Sequence, residues 1–158
     1  MKAGKFSQIL TFRMGAQWVG INIEQVREVV AQQHRTVMPL APGFVLGLIN
    51  LRGRIVTEID VRQVVESVTD SDTEDGSRHI LIIEARNSEG FGLVVDAVGE
   101  VTNLDLKNYE QTPKSIPKAW RKVCDGVMKQ DDRVLLLMDV DKFVELTLEK
   151  RELETETA

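Results

Sequence analysis

A chain of 158 residues, 42% apolar and 28% charged, carries enough apolar material to bury a core in one compact domain or two small lobes. Its apolar runs stop at about half a dozen residues, as at 44–49, against the roughly 20 that a membrane-spanning helix needs, and no apolar signal segment opens the chain. The net charge of −5 gathers in an acidic run at 66–77 and an acidic tail around a mildly basic body, without the dense Lys/Arg stripe of a nucleic-acid binder. A cytoplasmic location is expected. The single cysteine, Cys124, excludes an intramolecular disulfide and reads as a small apolar side chain.

In chain order, alternating apolar positions predict strands at 7–13, 17–23 and 27–31, with Gly15-Ala16 turning the first into the second. A helical turn follows at 41–46. Residues 47–60 then read as a β-hairpin: Leu48, Ile49 and Leu51 run into Arg52-Gly53-Arg54, where the glycine can take a positive φ, and Ile55, Val56 and Ile59 run out again. Asn50 and Arg52 fall on the face of Leu48, a polar and cationic edge beside apolar side chains that suits a docking surface. A short helix at 61–65 ends this half. Residues 67–77, rich in Ser, Thr, Asp and Glu, predict a loop. Further strands are expected at 79–85, 91–95, 99–102, 124–129 and 133–139, then a helix from about Val140 whose acidic end, from 147, is expected to fray. Short strands with frequent turns favour small barrels.

The chain also matches itself. Gly47, Arg54, Asp60, Val61 and Val65 recur 79 positions on as Gly126, Arg133, Asp139, Val140 and Val144, and Gly20, Ile21, Val26 and Glu28 recur 72 positions on as Gly92, Leu93, Val98 and Glu100. The two offsets differ by seven residues, which the segment 103–122 can hold. Two lobes of similar plan are expected. The repeat bears on chemistry, because Asp60 and Asp139 occupy equivalent places between a strand and a helix, where aspartate caps the first turn. Capping explains them better than acid–base work with Asp96. His34 and His79 stand apart, and no phosphate loop, nucleophile elbow or calcium loop appears. Neither catalysis, a metal nor a cofactor is expected. Glu28 and Arg52, each set among apolar strand residues, predict a partly desolvated ion pair that serves structure alone or structure and docking together. Val26, Gly47, Val95 and Val98 read as core or as groove.

The run GLINLRGRIVTEIDVR at 47–62 resembles the signature of the CheW family, adaptor proteins of bacterial chemosensory arrays, which is close to GxINLRGxIxPxxDLR. Gly47, Ile49, Asn50, Leu51, Arg52, Gly53, Ile55, Asp60 and Arg62 stand where the pattern wants them. Pro39, Ala41, Pro42 and Phe44 match the approach to it, and 20–29 and 92–101 resemble two further family segments. Thr57, Glu58 and Asn22 depart from the family's usual Pro, apolar residue and Pro.

The resemblance implies a mostly β fold of two similar five-stranded SH3-like barrel subdomains with short helices, a single domain over 1–158. The first lobe would span about 15–65 and the second about 79–145, with strand 6–13 packing across, residues 66–78 as an acidic interlobe loop and 147–158 as a flexible tail. It further implies a non-catalytic adaptor that couples the cytoplasmic tips of chemoreceptors to a CheA-type histidine kinase, at receptor arrays near the inner membrane. In that family a helical receptor hairpin lies in an apolar groove between the lobes, and adaptor and kinase alternate through dissimilar lobe ends that can close into rings. Carried onto this chain, the surface comprises Val26, Glu28, Gly47, Asn50, Arg52, Val95 and Val98. Glu58 is expected to mark a lineage-specific contact. Twitching motility is an alternative output for the same scaffold; a ligand-binding or catalytic β-barrel and a nucleic-acid-binding barrel are more remote readings.

Overall fold

The computed structural model describes residues 8–65 and 78–157, with side chains as far as Leu153. The first part of the predicted N-terminal strand and nearly all of the predicted acidic loop lie outside the described residues. Strands β1 (Gln8–Met14), β2 (Gln17–Asn22), β3 (Val26–Ala31), β4 (Val45–Leu51) and β5 (Arg54–Ile59) are followed by helix α1 (Val61–Val65). Then come β6 (His79–Glu84), β7 (Gly90–Val95), β8 (Ala97–Asn103), β9 (Tyr109–Glu110), α2 (Lys118–Val123), β10 (Cys124–Gln130), β11 (Arg133–Met138) and α3 (Val140–Thr157). The fold is mostly β, as expected.

Two sheets result, ordered β8-β1-β2-β11-β10-β9 and β3-β6-β7-β5-β4. Neither is confined to one stretch of sequence, which corrects the expectation of one lobe per segment. The first two strands of the chain, β1 and β2, join the last four, β8 to β11, and the first two strands of the second half, β6 and β7, join the last three of the first, β3 to β5. The reason lies in the parallel pairs β2·β11 and β5·β7, one in each sheet. Parallel neighbours cannot be linked by a hairpin, so each strand's partner must come from far along the chain. The predicted repeat is mirrored in the register. Gly20 faces Leu137 as Gly92 faces Glu58, and the ladder irregularity between Val45 and Gly47 recurs between Cys124 and Gly126. Asp60 N donates to Phe44 O and Asp139 N to Val123 O, both at 2.8 Å.

Each sheet curls around a small core of its own: Ile9, Met128, Leu135 and Leu137 in the six-stranded sheet, Ile49, Leu51, Ile80 and Val94 in the five-stranded one. A larger core lies between the sheets and takes in all three helices, with Phe12, Ile59, Val64, Leu93, Trp120 and Phe143 among its buried members. Strands buried on both faces explain why runs such as FGLVV lack clean alternation.

Two local expectations are corrected, and one segment carries more structure than expected. The helical turn at 41–46 is a non-helical turn, and β4 begins already at Val45. The tail from 147 continues α3 to Thr157, held by a buried Thr147 whose hydroxyl donates to Phe143 O at 2.8 Å and by Lys150 Nζ donating to Val64 O. Segment 103–122 carries β9 and α2 in addition to connecting chain.

Candidate docking surface

The β4–β5 hairpin closes in two residues, Arg52 and Gly53, between the paired Leu51 and Arg54. Both have positive φ, 51° and 86°, the combination whose twist matches a two-residue hairpin. Asn50 fixes the turn by accepting from Gly53 N at 2.9 Å. The turn aims the Arg52 side chain across to Glu28 on β3: Nη2 donates to Oε2 at 2.7 Å and Nη1 to Oε1 at 3.2 Å. Strands β3 and β4 are opposite edges of the five-stranded sheet, so this pair clasps the curl through side chains. Just past β3 the backbone does the same, with Thr36 and Leu48 exchanging hydrogen bonds of 2.8 Å.

The predicted Glu28–Arg52 pair therefore forms, but in a more open place than expected, since the Arg52 side chain is 77% exposed. An exposed pair of this kind contributes about 0.2–1 kcal/mol. Apolar Val29, next to Glu28 in β3 but on the opposite face of the strand, and Ile55 in β5, paired with Asn50 across the hairpin, are exposed as well. The result is an exposed bidentate ion pair on a two-residue hairpin turn whose strands also expose apolar side chains, an arrangement suited to a protein partner.

The other expected surface residues divide. Val26 and Val98, equivalent in the repeat, are half-buried and pack against the core between the sheets. Val95 is 1% exposed and belongs to that core, because β7 is central in its sheet and covered on both faces. Gly47 is buried with φ 154°, and a Cβ there would lie 2.7 Å from Thr36 O. Both are packing residues, which corrects their placement on the surface.

Glu58 is the larger correction. It points into the small core of the five-stranded sheet with no exposed surface, and accepts from Arg35 Nε at 2.8 Å. Its strand neighbours are glycines, Gly47 on β4 and Gly92 on β7, which leave room for the carboxylate. Burial raises its pKa, against the opposing pull of Arg35. Charge alone suggested a surface residue; the partner Arg35 lies 23 positions away in an irregular stretch and gives no local signal. The same stretch continues into exposed Val37, Met38 and Leu40, which sequence reasoning passed over. Apolar residues broken by Pro39 and Pro42, which disfavour a strand, were the available sign.

The carboxylates weighed for catalysis have structural partners. Asp60 Oδ1 accepts from Arg62 N at 3.0 Å and Asp139 Oδ1 from Lys142 N at 3.1 Å, as expected of N-caps. Asp96 accepts from Gly15 N at 2.6 Å and lies 3.6 Å from Arg78.

The model of the CheW-like domain matches residues 8–147. The chemotaxis protein CheW of Rhizobium meliloti (strain 1021) is 31% identical over 134 residues, spanning 85% of this chain and 84% of that protein. CheW of Thermotoga maritima is 25% identical over 138 residues, 87% of each. The crystal structure of the scaffolding protein TtCheW from Thermoanaerobacter tengcongensis superposes with a TM-score of 0.74 at 29% identity, covering 87% of this chain and 91% of that one. With its duplicated sheets and signature hairpin, the chain belongs to the CheW-like domain family.

Proposed function

We propose that this protein is a non-catalytic chemotaxis adaptor that couples the cytoplasmic tips of chemoreceptors to a CheA-type histidine kinase. The observation that carries the reading is the Glu28–Arg52 clasp on the signature hairpin, an exposed ion pair joining strands that also expose apolar Val29 and Ile55, in a chain whose relatives are named chemotaxis and scaffolding proteins. The kinase's regulatory domain meets this hairpin face. The receptor tip, an apolar helical hairpin, meets the rim of the core between the sheets, where Val26 and Val98 are half-buried. Signalling passes through packing at these contacts, at receptor arrays in the cytoplasm, without a reaction on this chain.

The test is reconstitution. Receptor-bearing membranes and kinase, with and without this protein, are assayed for kinase autophosphorylation and its response to attractant. The adaptor reading predicts receptor-dependent control of the kinase only when the protein is present; identical activity and response in its absence would contradict it.

A further inference from the structure

The two curled sheets solve one packing problem in two ways. In each, the segment that closes the curl sends a long side chain across a positive-φ glycine of the neighbouring strand. In the six-stranded sheet this is Tyr109 over Gly126, where a Cβ would lie 2.5 Å from the ring, and the Tyr109 hydroxyl donates to Asp125 O at 2.5 Å. In the five-stranded sheet it is Arg35 over Gly47, where a Cβ would lie 3.2 Å from Arg35 Cδ. The strand beyond then presents Leu137 in the first case and Glu58 in the second, equivalent positions facing Gly20 and Gly92. A buried ion pair thus stands where the chain's own other half uses a tyrosine and a leucine.

Stability does not account for that choice. A buried pair gains little over apolar residues of similar volume, because desolvating two charges offsets their attraction. Here that cost is not fully compensated: Glu58 Oε2 and Arg35 Nη2 are buried without hydrogen-bond partners among the described residues. What the pair does fix is the exit of the chain. Arg35 immediately precedes Thr36, whose backbone pairs with Leu48, and the loop beyond exposes Val37, Met38 and Leu40. Leu40 is fully exposed at φ 62°, a conformation unfavourable for leucine with no burial to compensate it. That loop continues the chain of β3, the strand that carries Glu28.

We propose that Arg35 and Glu58 are positioning residues of the docking surface, a buried ion pair that holds the apolar loop at 36–43 in register with the Glu28–Arg52 clasp, so that the kinase's regulatory domain meets both. This rests on the adaptor reading above. The loop supplies the apolar part of the contact and the clasp its polar part.

The test gives the five-stranded sheet the other sheet's solution, Arg35→Tyr with Glu58→Leu, in the full-length protein. Thermal unfolding, amide hydrogen exchange of 36–43 and affinity for the regulatory domain of a CheA-type kinase from the same organism are measured beside the native chain. The expected result is a melting temperature at or above native, exchange in 36–43 at least tenfold faster and binding at least tenfold weaker. A stable double variant with native exchange and affinity within twofold would overturn the proposal. Should the double variant not fold, Arg35→Met combined with Glu58→Gln decides by the same exchange and affinity criteria, since it keeps the stem across Gly47 and removes both charges without leaving one buried alone. Should the native chain bind no such kinase, the adaptor reading fails by itself, and native exchange rates in the variant's loop would then overturn the positioning role as well.

Discussion

At the scale of single residues, glycines and buried charges govern the geometry. Gly47 has φ 154° and no room for a methyl group beside Thr36 O, so Gly47→Ala is expected to destabilise the fold by about 1–3 kcal/mol, read by urea unfolding. Gly53→Ala, with φ 86° but open space around it, should cost less. Glu58 gives a pH signature. Its carboxyl holds its proton more tightly folded than unfolded, because burial outweighs the attraction of Arg35. Its contribution is therefore greatest below the ordinary glutamate pKa of about 4.3 and is lost as pH rises through the raised folded value. Relative to Glu58→Gln, native stability should fall as pH climbs through that window; parallel pH profiles would contradict the assignment. Residue-level legibility followed locality and repetition. The Glu28–Arg52 pair was readable because Glu28 interrupts an apolar strand and Arg52 stands in a turn between two others, whereas Arg35–Glu58 was not, because Arg35 sits in an irregular stretch without periodicity.

At the scale of elements, strands and hairpins were read closely, since turn residues punctuate them and apolar runs mark both edges. Elements lacking those signs escaped: β9 has two residues, and α2 has six following Pro117. The far end of α3 was misjudged for a different reason. Its acidic composition suggested fraying, but Thr147 is 1% exposed and Lys150 reaches α1, so tertiary packing overrides composition as far as these residues. The equivalent caps make a paired prediction. Asp60→Ala and Asp139→Ala should each cost about 1 kcal/mol in chemical denaturation, and a null effect at either would remove the capping role.

For the whole molecule, the repeat announced two similar lobes, but no pattern within one chain says which half supplies which strand. Exchange of strands between the halves is a tertiary fact, visible in the parallel pairs β2·β11 and β5·β7 and in the antiparallel pairs β1·β8 and β3·β6. Its consequence is cooperativity. Fragments 1–65 and 78–158 each lack strands that their sheets require, so each alone should show an unfolded circular dichroism spectrum, and an equimolar mixture should recover β signal. A fragment that folds by itself would refute this.

The clasp joins these scales, since one arginine on a two-residue turn links opposite edges of a sheet built from both halves. The most direct measurement is the affinity of the purified chain for the isolated regulatory domain of a CheA-type kinase from the same organism, compared with Arg52→Glu and with Arg52→Glu combined with Glu28→Arg. The exposed pair adds little stability, so all three proteins should melt within a few degrees of one another. The account predicts binding by the native chain, at least tenfold loss in Arg52→Glu, and partial recovery in the double variant. No binding by the native chain, or unchanged affinity in a folded Arg52→Glu, would contradict it.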